Sequence, residues 1–179
     1  TTMTYASWRS PYCPDPRLFG QTAIERLNEG CLFWVYIGHG HAWGLDHVQV
    51  PGGQFSILEL ADVRRVRCRH GSPIALLLSC HAGAFDAQED CLAEELLRSE
   101  TGPVAAVCGS RVTMPYGMAV LCGEALKECF QEHRATLGEM LLAAKRNSIL
   151  QPRTGEDSRA LDALATTLNA GADLAEERR

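Results

Sequence analysis

The sequence predicts an α/β protein with a mainly parallel sheet, and two observations support this fold class. Three short, continuous apolar runs alternate with segments of helical periodicity, which is the pattern of repeated βαβ units. Each run also ends in chemically active residues, and parallel sheets bind ligands beyond the carboxyl ends of their strands. The three runs are Cys31–Ile37, Ile74–Leu78 and Val104–Cys108.

The composition is that of one folded domain, predicted to extend over residues 1–179. The chain has 179 residues, of which 46% are hydrophobic and 22% are charged, an ordinary balance for a protein with a sizeable core. The net charge of −5 argues against a nucleic-acid partner, because phosphate binding needs a basic surface. The longest apolar run is strand-length, far below the roughly 20 residues that cross a bilayer, so we expect no membrane span.

The first half of the chain is predicted to contain a helix and then the first buried strand. Residues Pro16–Asn28 have helical periodicity, and Gly30 occupies the usual position of a glycine that ends a helix. Cys31–Ile37 is rich in aromatic and branched residues, as expected of a strand buried on both faces. The other predictions for this half are a loop with a turn at Pro51–Gly53 and a short helix over Leu58–Val66.

The second half is predicted to repeat this alternation and then to become helical. The strand Ile74–Leu78 is followed by a helix over Cys91–Arg98, which leads to the third strand, Val104–Cys108. An amphipathic stripe and a capping-box pattern mark two further helices. The remaining segments are a helix over Met118–Glu132, a helix from Thr136 to about Ile149, a loop over Gln151–Asp157 and a last helix around Leu161–Leu168.

His39 and Cys80 are the residue types of a thiol peptidase, and each lies just after a predicted strand. A cysteine attacks as its thiolate, and a nearby histidine can take the thiol proton and later return it to the leaving group. The two residues are 41 positions apart, which suits one strand end, a crossover and the next strand end. We predict His39 as the base rather than His41, because His39 lies nearer the strand and the sheet fixes its position.

Backbone groups beside these residues predict an oxyanion hole. Gly40 has no side chain, so its amide can approach a substrate carbonyl, and the amide of Cys80 can supply a second donor. At the third strand end, Ser110 and Arg111 are predicted to contact substrate, Arg111 through an acidic group. Arg111 also fits as a structural partner of Asp86 or Glu89, the interpretation that we favour, and both interpretations stay open.

Two other function classes also fit the residues. Segment 39–47 resembles a rearranged metallo-hydrolase ligand set, since histidines two positions apart on a loop can bind one zinc ion. The ligands of this zinc-dependent hydrolase would be His39, His41, Asp46 and His47. The second class is a non-catalytic binding module on the same fold. The cysteine mechanism itself requires no metal.

Four segments resemble the gingipain family of cysteine peptidases, which is in the same clan as the caspases. They match the family's strand–histidine–glycine segment, its nucleophile segment, the helix that follows, and the next strand with its serine-containing end. In this sequence they are residues 36–40 (YIGHG), residues 76–80 (LLLSC) with Gly83 and Phe85, residues 91–97 (CLAEELL) and residues 102–113. The resemblance covers residues 3–150.

The resemblance implies a caspase-like three-layer α/β/α sandwich and peptide-bond hydrolysis through an acyl-enzyme, with His39 and Cys80 in the matching positions. It also implies a protein or peptide substrate, no required cofactor, and an exported or cell-envelope bacterial location. A structural calcium ion is compatible with it, with Asp86–Asp90 as one site. His41 stands where the gingipains proper have a serine. The family's first strands precede the histidine, so we expect a domain truncated at both ends.

Overall fold

The computed structural model describes residues 1–150 of the chain. Within these residues, helices and strands alternate around a parallel sheet. The helices are α1 (Phe19–Asn28), α2 (Leu60–Val63), α3 (Leu92–Arg98), α4 (Pro115–Phe130) and α5 (Leu137–Leu150), and a 3₁₀ turn over Pro16–Leu18 leads into α1. The strands are β1 (Phe33–Ile37), β2 (Gly40–His41), β3 (Gly44–Leu45), β4 (His47–Val50), β5 (Gly53–Ser56), β6 (Ile74–Leu78) and β7 (Ala105–Cys108).

The three predicted strands form one parallel sheet in the order β1-β6-β7. The register pairs Ile37 with Leu78 and Leu77 with Cys108, so the carboxyl ends of all three strands lie at the same edge. In the central strand β6, the residues from Ala75 to Leu78 are buried. A strand with neighbours on both sides and cover on both faces needs apolar residues throughout, which explains the run IALLL.

Local sequence features mark the start of the 3₁₀ turn, the end of α1 and the start of α3. The Asp15 side chain accepts a hydrogen bond from the Arg17 amide at 3.0 Å ahead of the 3₁₀ turn. Gly30 follows α1 with φ 82°, and a Cβ there would lie 2.8 Å from the backbone of His70. At α3, the Glu94 carboxylate accepts from the Cys91 amide at 2.9 Å, which completes a capping box.

The chain divides into two compact units, Thr1–Val112 and Thr113–Arg179. The core of the first unit is built from α1, α2, α3, β3, β4 and β6, and Leu27, Leu77 and Leu92 are among its fully buried side chains. The prediction of a single domain over residues 1–179 stays a prediction, since a division into compact units does not define separate domains.

The second unit contains α4 and α5, which a polar cluster joins. The buried Glu128 carboxylate accepts from Arg134 Nε and from Asn147 Nδ2, each at 2.8 Å. Thr136 Oγ1 accepts from the Glu139 amide at 3.2 Å, as the capping-box pattern predicted for the start of α5. None of the helices in residues 1–150 is long and apolar enough to cross a membrane.

Several element bounds differ from the sequence prediction, and two of the differences have a local cause. The predicted loop after β1 contains two antiparallel hairpins, β2–β3 and β4–β5, whose strands are too short to show a period in the sequence. α4 begins at Pro115 rather than Met118, because proline suits the first helical position. Helix α2 is shorter than predicted, β1 begins at Phe33 and β7 at Ala105. The predicted loop Gln151–Asp157 and last helix lie outside the described residues.

Candidate active site

The register of β1 and β6 brings the histidine segment beside the cysteine segment. Ile37 pairs with Leu78, and the Gly38 amide then donates to the Leu78 carbonyl at 3.4 Å, which extends the ladder beyond the last strand pair. By residue count, the next positions of this register are Gly38 with Ser79 and His39 with Cys80, beyond the last observed strand pair. His39 is exposed and Cys80 is half-buried, so both positions border solvent at the carboxyl edge of the sheet.

Gly40 lies against the nucleophile segment at a distance that no side chain would allow. A Cβ at this position would lie 2.7 Å from Ser79 Oγ and 3.2 Å from the Cys80 carbonyl oxygen. Ser79 is buried, and within the described part of the chain its hydroxyl has no hydrogen-bond partner. The absence of a side chain at Gly40 is therefore what lets the backbone after His39 approach the Ser79 side chain and the Cys80 carbonyl.

Tyr36 holds the backbone of His39, a role that the sequence did not reveal. Its hydroxyl donates to the His39 carbonyl at 2.7 Å and accepts from the Asp46 amide at 3.3 Å. Burial is the main reason that the pKa of Tyr36 lies well above its ordinary value, so the hydroxyl stays a proton donor at neutral pH. In the sequence, Tyr36 cannot be distinguished from the other aromatic residues of a buried strand.

His41 lies on the β2–β3 hairpin, where its ring makes local contacts. Its Nδ1 accepts from the Trp43 amide at 3.3 Å, and the two rings meet edge to face with centroids 6.3 Å apart. These contacts fix His41 to its own turn. The role of His39 as the base stays a prediction.

The predicted zinc ligands are not assembled into a metal site. Asp46 accepts from the amide of His47 at 2.7 Å, and the His47 ring lies 3.7 Å from the Glu59 carboxylate. Within residues 1–150, no three His, Cys, Asp or Glu side chains are arranged to hold a metal ion. The geometry thus gives no support to the zinc-hydrolase alternative.

The loop after Cys80 is tied to the end of β7. His81 adopts a left-handed conformation with φ 56°, which is uncommon for a residue with a side chain, and its amide donates to the Arg111 carbonyl at 3.2 Å. The Gly83 amide donates to the Gly109 carbonyl at 3.0 Å, and a Cβ at Gly83 would lie only 2.3 Å from Cys108 Sγ. Both contacts hold the third strand end beside the nucleophile loop.

Arg111 forms the structural pair that the sequence allowed. Its guanidinium donates to both carboxylate oxygens of Asp86, at 2.8 and 2.5 Å, and to the Ser110 carbonyl at 2.7 Å. These hydrogen bonds lower the pKa of Asp86, so the carboxylate stays charged at neutral pH. Asp90, at the other end of the predicted calcium loop, pairs with Arg98. The substrate contacts predicted for Ser110 and Arg111 remain predictions.

The family model described as Peptidase family C25 matches residues 2–170, nearly the whole chain. The chain belongs to peptidase family C25. This is the family of cysteine peptidases that contains the gingipains, so the resemblance predicted from the four segments is confirmed. No curated protein sequence matches the chain.

Two solved structures show that this C25 chain has the gingipain fold. The complex of Porphyromonas gingivalis RgpB pro- and mature domains superposes with a TM-score of 0.65 at 19% identity, and covers 75% of this chain and 32% of its own. The structure of the Arg specific cysteine proteinase gingipain R gives a TM-score of 0.59 at 21% identity, with the same coverages of 75% and 32%. The chain therefore spans about a third of the length of these structures, and the predicted caspase-like α/β fold is confirmed.

Proposed function

We propose that this C25 chain carries the active centre of a cysteine endopeptidase, with Cys80 as nucleophile and His39 as general base. The observation that supports this most strongly is the β1–β6 register, continued by the contact of Gly40 with Ser79 and Cys80. Cysteine and histidine on neighbouring strand ends are the two groups that thiol catalysis needs. Membership of a cysteine peptidase family supports the same chemistry.

In the proposed mechanism, His39 accepts the thiol proton of Cys80, and the thiolate attacks the carbonyl carbon of the scissile peptide bond. The tetrahedral intermediate collapses when His39 protonates the leaving amine, which leaves the acyl group on sulfur as a thioester. Water then attacks the thioester with His39 as base. The carboxylic acid product departs, and Cys80 recovers its proton.

The amides of Gly40 and Cys80 are proposed to bind the oxyanion. Such donors stabilise the transition state when they are held in place before the reaction begins. Tyr36 supports this arrangement through its hydrogen bond to the His39 carbonyl, one residue before Gly40. We regard Tyr36 as a positioning residue, because its hydroxyl holds the backbone and has its own partners in His39 and Asp46.

The remaining expectations concern substrate, ions and location. A protein or peptide is the substrate class that family membership supports, and Ser110 lies on the loop that is tied to the nucleophile segment. The proposed chemistry uses no cofactor. A calcium ion on the loop Asp86–Asp90 would have to compete with Arg111 and Arg98 for its carboxylates. Gingipain relatives support the proposal that the chain acts outside the cytoplasm.

The test compares three alanine variants on a panel of fluorogenic peptides. Cys80→Ala and His39→Ala should each lower kcat/KM by at least about 10³-fold, because each removes a group used in both chemical steps. His41→Ala is the matched control, and we expect it to change KM more than kcat. A peptidyl electrophile should label Cys80 in a reaction that slows sharply in His39→Ala.

The opposite pattern would reassign the chemistry. Loss of turnover in His41→Ala with retention in His39→Ala would make His41 the base. If Cys80→Ala kept full activity and a zinc chelator abolished it, the active site would instead be the histidine segment 39–47 acting as a zinc hydrolase. Absence of cleavage in wild type, together with intact peptide binding, would favour the non-catalytic binding module.

A further inference from the structure

The hairpin after the histidine and the loop after the cysteine pack against each other through small residues. Ala42, in the turn between β2 and β3, packs against a buried cluster that contains Ala84, Cys91 and Ala93. Ala84 belongs to the loop that follows Cys80. The two segments that flank the proposed dyad are therefore joined by a common apolar contact beside the sheet edge.

This packing leaves the next residue of each segment in solvent, and both of those residues are large aromatics. Trp43 follows Ala42 and is 51% exposed, and Phe85 follows Ala84 and is 72% exposed. Trp43 contacts the ring of His41, and His41 directly follows Gly40, which lies against Ser79 and Cys80 of the nucleophile segment. Trp43 and Phe85 thus follow His39 and Cys80 by four and five positions, on two segments that pack against each other.

The backbones that carry these aromatics are fixed by hydrogen bonds from other elements. The Trp43 carbonyl accepts from the Leu60 amide at 3.0 Å, and the Ala42 carbonyl accepts from the Leu92 amide at 2.6 Å. The Phe85 amide donates to Gly83 at 2.9 Å, and its neighbour Asp86 is held by Arg111. A surface whose backbone is held before binding loses less entropy when a ligand docks.

The charges near Phe85 favour an apolar ligand over a basic one. Asp86 is the acidic residue adjacent to Phe85, and both of its oxygens are occupied by the guanidinium of Arg111. An arginine or lysine side chain of a substrate would have to displace that pair. An aliphatic or aromatic side chain only has to cover exposed ring surface, which is favourable in proportion to the area removed from water.

We propose that Trp43 and Phe85 bind apolar side chains of the peptide substrate next to the scissile bond, and so select substrates that are apolar on at least one side of the cleaved bond. The inference rests on the proposed function for its choice of ligand, a peptide held at Cys80. Contact between these aromatic side chains and apolar side chains of the peptide contributes binding free energy that Cys80 and His39 do not supply.

The experiment measures peptide binding separately from cleavage. In the Cys80→Ala variant, fluorescence anisotropy gives the dissociation constants of two labelled peptides, one with Phe and Leu around the cleaved bond and one with Ser in their places. We expect the apolar peptide to bind about tenfold tighter, since burying one large apolar side chain gives that factor or more. Adding Trp43→Ala or Phe85→Ala should remove most of the preference.

Two controls separate recognition from folding. Trp43→Phe should keep most of the preference, because an aromatic ring is retained. Leu32→Ala removes an apolar side chain that is 59% exposed but precedes β1, at the opposite edge of the sheet, and should leave binding unchanged. Melting temperatures of all variants should stay close to that of the Cys80→Ala parent.

The outcomes distinguish this inference from the proposed function. An unchanged preference in both alanine variants overturns the inference, as does a loss of preference that follows a loss of thermal stability. Cleavage by wild type without any apolar preference leaves the peptidase proposal standing and removes this one. A preference that depends on both aromatics, in a chain that cleaves no peptide, supports the binding surface and removes the catalytic proposal.

Discussion

Two glycines allow the backbone to pack around Cys80 more closely than any other residue would permit. Gly40 touches Ser79 and the Cys80 carbonyl, and Gly83 touches Cys108 at the end of β7. Neither contact involves a charge, yet both fix where the nucleophile segment lies relative to its neighbours. The geometry of the proposed site therefore depends on missing side chains as much as on His39 and Cys80.

Gly40→Ala should abolish most peptidase activity and also lower stability. The added methyl group would overlap Ser79 Oγ and Cβ, at 2.7 and 2.9 Å, so one of the two strand ends must move. Overpacking of this kind typically costs about 1–3 kcal/mol. Gly53→Ala is the matched control, since nothing lies within 4 Å of its Cβ position. Activity assays and thermal melts that fail to separate these two variants would contradict this account.

The thiols of the chain should differ in reactivity, and their pKa values predict which of them react more slowly. Burial raises the pKa of six of the eight cysteines, and for Cys108, which Cys91 also affects, the value is about 11. The six are Cys13, Cys31, Cys68, Cys91, Cys108 and Cys122. A raised pKa keeps a thiol protonated at neutral pH, and the protonated form does not react with alkylating agents.

We therefore expect iodoacetamide to label Cys80 before these six cysteines at pH 7. Labelling of Cys108 should increase as the pH rises toward its pKa of about 11, provided that the chain stays folded. Peptide mapping by mass spectrometry at several pH values measures each site separately. Equal labelling rates for Cys80 and Cys108 at pH 7 would count against an activated nucleophile at position 80.

At the scale of elements, the α4–α5 pair depends on one buried carboxylate. Glu128 is 3% exposed and binds both Arg134 and Asn147, which connects the end of α4 to the following loop and to α5. A buried charge is tolerated only when its hydrogen bonds are satisfied. In the sequence, Glu128 looks like one of several charged residues on an amphipathic helix, so its burial was not predicted.

Glu128→Ala should destabilise the second unit by about 1–3 kcal/mol, because two hydrogen bonds to a buried carboxylate are lost and Asn147 is left without that partner. Arg134 is half exposed and can regain water, which limits the cost. Glu132→Ala, a change of the same type at an exposed position, should have little effect. Urea unfolding followed by circular dichroism tests the difference, and equal midpoints would refute the role given to Glu128.

At the scale of the whole molecule, the outer strand β1 of the sheet has an exposed apolar side chain along its length. Within residues 1–150, β1 pairs only with β6, and Val35 in the middle of β1 is 39% exposed. An edge strand with exposed apolar side chains is a template for pairing with another chain. The chain produced alone is therefore expected to self-associate as its concentration rises.

Val35→Lys should reduce that association, because a charged side chain at an edge strand opposes pairing with a second strand. Leu142→Lys is the control, since it places the same charge on an exposed apolar position of α5. Sedimentation velocity over a range of concentrations gives the distribution of species. If both variants associate as wild type does, the β1 edge is not the contact.

The sequence by itself determined the parallel sheet and the two residues proposed for catalysis. Strand β6 has the predicted bounds, Ile74–Leu78, because a strand buried on both faces must be apolar at every position. The residues after such strands are exposed at one edge of a parallel sheet, so polar residues there stand out. His39 and Cys80 could be found for that reason, without any knowledge of their distance.

Only the tertiary structure decided how the site is held together. The hydrogen bond from Tyr36 to His39, the pairing of Arg111 with Asp86, and the exposure of Trp43 and Phe85 leave no periodic signal in the sequence. The two hairpins after β1 were missed because strands of two to four residues are shorter than the window in which a period can be recognised. The pattern of apolar residues predicts which residues are buried. It does not predict which side chains contact each other, because those contacts depend on packing between segments that are distant in the chain.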